Sequence, residues 1–185
     1  VHKTVPHSKP NPVDIPLAHK KELLDSYNAL IWNTPKLKTS NIGYGDGYKK
    51  SVFLNSEGSF IEQERADVTL HMAAIASDGS QVQQANMSLG SPGDFAAIQN
   101  MDDDVKDMAR RALGLLAAPQ AKGGEYTVVL DTILAGVFVH EAFGHLSEAD
   151  FVYENDRMRE LMVLGKKFGN PELNIIDGAA VPNLR

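Results

Sequence analysis

The chain has 185 residues, of which 43% are hydrophobic and 23% charged, and its formal net charge is −6. The length suits one domain, or one domain and part of a second. The acidic balance excludes nucleic acid as a bulk electrostatic partner, because phosphate binding needs a concentrated basic surface. No apolar run approaches the roughly 20 residues of a membrane helix. The richest stretch, Tyr126 to Phe143, is interrupted by Asp131, Gly136, His140 and Glu141.

Cysteine is absent, so these residues hold no disulfide framework and no thiolate ligand. The start, Val-His-Lys-Thr-Val-Pro, has no apolar leader segment. A chain starting at Val1 reads as a piece of something longer, and the expected location is the cytoplasm.

Pro6, Pro10, Pro12 and Pro16 make the first residues an extended lead-in. Leu23, Tyr27, Leu30 and Ile31 then recur at helical spacing, between Pro16 and Pro35. From Lys36 to Leu89 the sequence predicts an antiparallel meander of about four strands. Its turns are placed at Asp46-Gly47, Asn55 to Gly58 and Asp78-Gly79. Val68, Leu70, Met72, Ala74 and Ala76 alternate along one strand and define its more apolar face. His71 falls on the other face, as a surface histidine. The paired lysines Lys20-Lys21, Lys49-Lys50 and Lys166-Lys167 read as solvated faces.

Asp102, Asp103 and Asp104 suit a helix N-terminus, where the macrodipole favours anions; a metal site is the rarer use of such a triplet. Val105, Met108, Ala109, Ala112 and Leu116 form that helix's apolar stripe, and Pro119 stops it. Gln120 to Gly124 reads as a hinge, which divides the chain into residues 1–121 and 122–185. Tyr126 to Leu130 is strand-like, and Asp131 or Thr132 can cap a following helix, expected to be buried, that reaches His145. Beyond Asp150 a short helix, a loop and a strand at Leu173 to Ile176 are expected. The fold class is therefore α+β: a meander packed with helices, then a strand and a buried helix opening an incomplete second domain.

The chemistry concentrates at His140-Glu141-Ala142-Phe143-Gly144-His145. Zinc accepts neutral histidine nitrogens, and a catalytic site usually takes three protein ligands with a water in the fourth position. A glutamate beside the first histidine can act as general base on a metal-bound water. One residue more separates these histidines than in His-Glu-x-x-His peptidases. Positions i and i+5 of an α-helix lie about 140° apart, against about 40° for i and i+4. The pair converges only if the helix makes a π-type turn or unwinds, and Gly144 tolerates unusual dihedrals. A distortion at Phe143 to His145 is expected. Otherwise the histidines are structural, at a buried helix end. Glu148 has three open readings: a zinc ligand, a partner for a histidine N–H, or a turn or capping residue. Asp150 is a second candidate for a carboxylate ligand, and its role stays open.

These residues, with Gly124 to Asp131 and Leu134 to Phe138, resemble the TldD/PmbA family. The match is to its TldD branch, because the PmbA branch lacks the His-Glu-x-x-x-His motif. Leu54 to Gly58 and Ser77 to Gly79 are similar to the family's N-terminal domain, and Gly165 through Gly178 fits the segment after the motif. The resemblance implies a cytoplasmic zinc peptidase that trims peptides or unfolded segments, as a homo- or heterodimer with a TldD- or PmbA-type subunit. It implies His140 and His145 as metal ligands, Glu141 as the catalytic base, and a third ligand, a cysteine, far downstream and outside this chain. The segment alone is therefore expected to be inactive. Two rival functions stand beside this one: a non-catalytic assembly module of the same fold, and a metal-dependent hydrolase of a non-peptide substrate.

Overall fold

Strand β3 (Phe60–Ser77) organises the first part of the molecule. In a computed structural model, which describes residues 2–4, 11–176 and 178, β3 is paired along both edges. Strand β2 (Leu37–Leu54) runs antiparallel to it from Leu37↔Ala76 to Leu54↔Phe60. Strand β4 (Val82–Ser91) is antiparallel along the other edge, from Ser77↔Val82 to Val68↔Ser91. The short strand β1 (His2–Thr4) pairs parallel with Ile61 to Gln63. Those residues already pair with β2, so β1 takes the edge that β4 leaves. The predicted meander is thus three long strands, and the fourth member of the sheet comes from the lead-in.

Two of the three predicted turns form. Gly58 and Gly79 adopt φ of 88° and 94°, the left-handed region that glycine enters without penalty. The third does not form: Asp46 pairs with Val68 and Gly47 with Asp67, both inside β2. Two local constraints explain the error. A Cβ on Gly45 would lie 2.9 Å from Thr69 Oγ1, so glycine here permits close strand approach rather than a reversal. Asp46, meanwhile, has a strand position with partners for its carboxylate.

Those partners also correct the reading of Lys20 as solvated. Helix α1 (Leu17–Trp32) carries Lys20 against the sheet, where it is only 8% exposed and paired with Asp46. Tyr44 Oη donates to the same carboxylate at 2.7 Å, and the Lys20 ammonium stands 5.5 Å from the Tyr44 ring centroid. Burial alone would raise the Asp46 carboxyl; the Lys20 ammonium and the Tyr44 hydroxyl outweigh it and hold it below its usual range. Burial, then the bond to Asp46, pushes the Tyr44 phenol up.

The core lies between the sheet and two helices. Val68, Leu70, Met72, Ala74 and Ala76 are buried, as their alternation predicts. Helix α2 (Asp102–Leu115) lays Val105, Met108, Ala109 and Ala112 on β3 and β4, with the three aspartates in its first turn. From α1 come Tyr27 and Ile31. Tyr27 Oη donates to the Ile98 carbonyl at 2.7 Å and accepts from the Met101 N–H at 3.3 Å. It thereby ties α1 to the segment entering α2. His71 is exposed on the opposite face of the sheet, with Nδ1 2.9 Å from Ser88 Oγ.

Residues 1–120 form one compact unit and 121–185 a second. In the second, helix α3 (Thr132–Val139) begins at Asp131, whose Oδ1 accepts the Leu134 N–H at 2.7 Å. Helices α4 (Ala149–Glu154) and α5 (Asp156–Leu161) follow. Two expected strands are missing: Tyr126 to Leu130 and Leu173 to Ile176 have no ladder partner among the described residues. β-branched residues favour extended backbone, but a strand exists only when a neighbour takes its N–H and C=O groups. The expected burial of α3 fails for a related reason. Ile133 is 79% exposed and Phe138 56%, because no second layer among the described residues of this unit covers the helix. No helix among the described residues is long and apolar enough to cross a membrane.

Two stability outcomes follow from these contacts. Tyr27→Phe should cost about 1–3 kcal/mol in denaturant unfolding, because it orphans a buried carbonyl and an N–H together. Asp46→Asn should cost a similar amount near neutral pH by leaving the Lys20 ammonium poorly paired. The native carboxyl is depressed, so its contribution is full above the unfolded value of 3.8 and is lost as pH falls from there through the lower folded value. Melts from pH 7 to 2 should show the wild-type advantage over the variant shrinking only in that acidic window.

Candidate metal centre

Helix α3 ends where the histidines begin, and the backbone changes pitch there. Residues His140 to Gly144 form a π-turn in which the His145 N–H donates to the His140 carbonyl. This i→i+5 bond widens the turn by one residue and undoes the divergence expected of a regular helix. The distortion therefore spans the whole motif and starts earlier than Phe143. Gly144 contributes no unusual dihedral, since its φ and ψ are −55° and −58°. A Cβ there would stand 3.7 Å from His140 Nδ1, an ordinary contact.

The result is convergence of three side chains. The rings of His140 and His145 meet at a centroid distance of 4.3 Å and an angle of 68°. Glu141 Oε2 lies 3.9 Å from His145 Nε2. One potential ligand atom from each of His140, Glu141 and His145 falls within 4.8 Å of the others, the one such group among the described residues. All three side chains are exposed, so a cation and a substrate can reach them.

The two imidazoles form a nitrogen donor pair suited to a borderline-soft divalent ion such as zinc, with the Glu141 carboxylate beside it. Oxygen-preferring ions such as magnesium and calcium are poorly served by two nitrogens. The residues present thus fit a catalytic zinc site that takes a further donor from elsewhere. Glu148 and Asp150 stand outside the group. The Glu148 carboxylate is 2.7 Å from His145 Nδ1, whereas Asp150 Oδ1 accepts the Phe151 N–H at the start of α4. The aspartate triplet of α2 does not join any metal-binding group among the described residues, in keeping with its place in a helix's first turn.

Past the motif the backbone tightens into a 3-10 turn, His145–Ser147. Ser147 Oγ donates to the Gly144 carbonyl at 2.9 Å and fixes that turn. Beside the π-turn, Phe143 and Phe168 stack edge to face at 5.4 Å and, with Phe138, Ala142, Leu173 and Ile175, line an apolar hollow of about 270 Å³. Sequence periodicity does not show this hollow, because Phe168 and Leu173 belong to irregular backbone.

Comparison with known proteins agrees with the chemistry. Residues 10–118 match the PmbA/TldA metallopeptidase central domain, and residues 123–184 match the C-terminal domain of the same family. The sequence likened the first of these regions to the family's N-terminal domain. The chain is 45% identical to a metalloprotease of Synechocystis sp. over 95% of its own length and 38% of the relative's. It is 37% identical to a metalloprotease of Methanothermobacter thermautotrophicus, over 98% of the chain and 40% of the relative. It is 29% identical to a zinc metalloprotease TldD homolog of Saccharolobus solfataricus, over 77% of the chain and 32% of the relative. The chain thus spans about two fifths of the length of the first two relatives.

Proposed function

Because the chain belongs to the PmbA/TldA metallopeptidase family, we propose that the protein containing it is a zinc peptidase acting on peptides or unfolded polypeptide segments. The observation that carries this reading is the π-turn, which turns His140 and His145 toward each other beside the Glu141 carboxylate. His140 and His145 would hold the ion, and a third donor, a cysteine in the family pattern, would complete its shell. Bound zinc would supply Lewis-acid polarisation of the scissile carbonyl.

The chain's own residues account for the proton movements. Glu141 is 66% exposed at its side chain, so an attacking water can reach it. Its carboxylate accepts the water proton as the oxygen adds to the carbonyl carbon, then delivers that proton to the leaving amine as the C–N bond breaks. On the far side of the motif, Phe143 packs edge to face on Phe168, an apolar contact beside the π-turn. Kinship with TldD- and PmbA-type proteins supports a subunit of that type as partner and a cytoplasmic setting as part of the same proposal.

Two outcomes test it in the full-length protein. Glu141→Gln should keep near-stoichiometric zinc but lower peptide turnover by about 10²–10⁴-fold, the usual worth of a positioned general base. Cleavage at the wild-type rate by that variant would remove Glu141 from the mechanism. His140→Ala and His145→Ala should each release zinc on dialysis and abolish hydrolysis, as a strong chelator should for the wild type. Full zinc occupancy in either histidine variant, measured by atomic emission, would contradict the assignment.

A further inference from the structure

Given the zinc site proposed above, on which this inference rests, we propose that Glu148 is its positioning residue: it fixes the proton of His145 on Nδ1 and turns the Nε2 lone pair toward the ion. The Glu148 carboxylate lies 2.7 Å from His145 Nδ1, a distance at which it accepts that N–H. A neutral imidazole has one N–H and one lone pair, so a proton held on Nδ1 leaves Nε2 as the donor atom. It is Nε2 that faces Glu141, at 3.9 Å from Oε2.

The backbone commits Glu148 to this task. The 3-10 turn closes with the Glu148 N–H donating to the His145 carbonyl at 3.4 Å. Glu148 then leaves the helix in extended conformation, with φ −61° and ψ 132°. Its carbonyl accepts the Val152 N–H at 3.0 Å to start α4, so Glu148 occupies that helix's N-cap position. Its side chain makes no capping bond there. The turn and cap roles of Glu148 are thus carried by its backbone, and the carboxylate is left for the imidazole. It also stands on the ring edge away from Glu141, which is the wrong side for a ligand.

The arrangement is one-sided. Among the described residues the His140 ring has its contact with His145 and no carboxylate partner. Preorganisation of the pair thus runs through His145 and Glu148, and removing the carboxylate frees the ring to rotate and to exchange tautomers.

The test uses the full-length protein with Glu148→Ala and Glu148→Gln, and zinc affinity measured by competition with a chromophoric chelator. Glu148→Ala should weaken zinc binding by about 10- to 100-fold. Glu148→Gln should lie nearer the wild type, because its amide oxygen still accepts the Nδ1–H, though without charge assistance. In the zinc-free protein, ¹⁵N NMR should place the His145 proton on Nδ1 in the wild type and redistribute it to Nε2 in Glu148→Ala. Cobalt-substituted wild type and Glu148→Ala should share the same absorption bands, because no ligand has changed. Wild-type affinity in Glu148→Ala, or an unchanged tautomer, overturns the inference while leaving the peptidase reading intact. A shift of the cobalt bands makes Glu148 a ligand and also overturns it. A wild-type protein that binds no zinc defeats both.

Discussion

The zinc chemistry proposed for this chain depends on one hydrogen bond, from the His145 N–H to the His140 carbonyl. Six residues of an ordinary α-helix would direct these two imidazoles about 140° apart, and no single ion could hold both. Widening the turn by one residue brings the rings to 4.3 Å, with Glu141 beside them. The spacing of the motif and the pitch of the backbone are therefore one feature, and neither has a function without the other.

The two units are stabilised in different ways. In residues 1–120, two helices on one face of the sheet, tied together by the Tyr27 phenol, close around a core that excludes water from that face of β3. The one buried cation among its described residues, Lys20, is held by a carboxylate that is itself held by Tyr44. In residues 121–185 stability comes mainly from local bonds: the Asp131 cap, the π-turn, the Ser147 hydroxyl and the Asn155 cap of α5. Met158 is the one described residue there that reaches the burial of a core side chain. The proposed metal site thus lies in the unit with fewer buried side chains among the described residues, on backbone shaped by short-range geometry.

Much of this was legible in the residues. The alternation from Val68 to Ala76 gave a buried face, and the stripe from Val105 to Ala112 gave a helix over it. The motif pointed to its own distortion, because the i, i+5 spacing admits few solutions. What failed were inferences from local composition where tertiary partners decide. Asp46-Gly47 has turn chemistry, yet Lys20 and Tyr44 stabilise Asp46 in a strand and Thr69 requires glycine at the neighbouring position 45. Lys20 looks like any surface lysine until Asp46, 26 residues away, is placed beneath it. Tyr126 to Leu130 has strand composition without a neighbouring strand among the described residues, and composition cannot supply one. The His145 to Glu148 pair was one of three open readings; only the helical turn between them shows the carboxylate folding back.

The unequal lengths of the strands have a dynamic consequence. β4 accompanies β3 only from Val68 to Ser77, and β1 only from Ile61 to Gln63. Amide protons of Val68 to Ser77, flanked by β2 and β4 and covered by helices on one face, can meet solvent only when the sheet and its helices come apart. That stretch is thus the slow-exchanging root of the strand, and its lower boundary lies at Val68, where β4 stops.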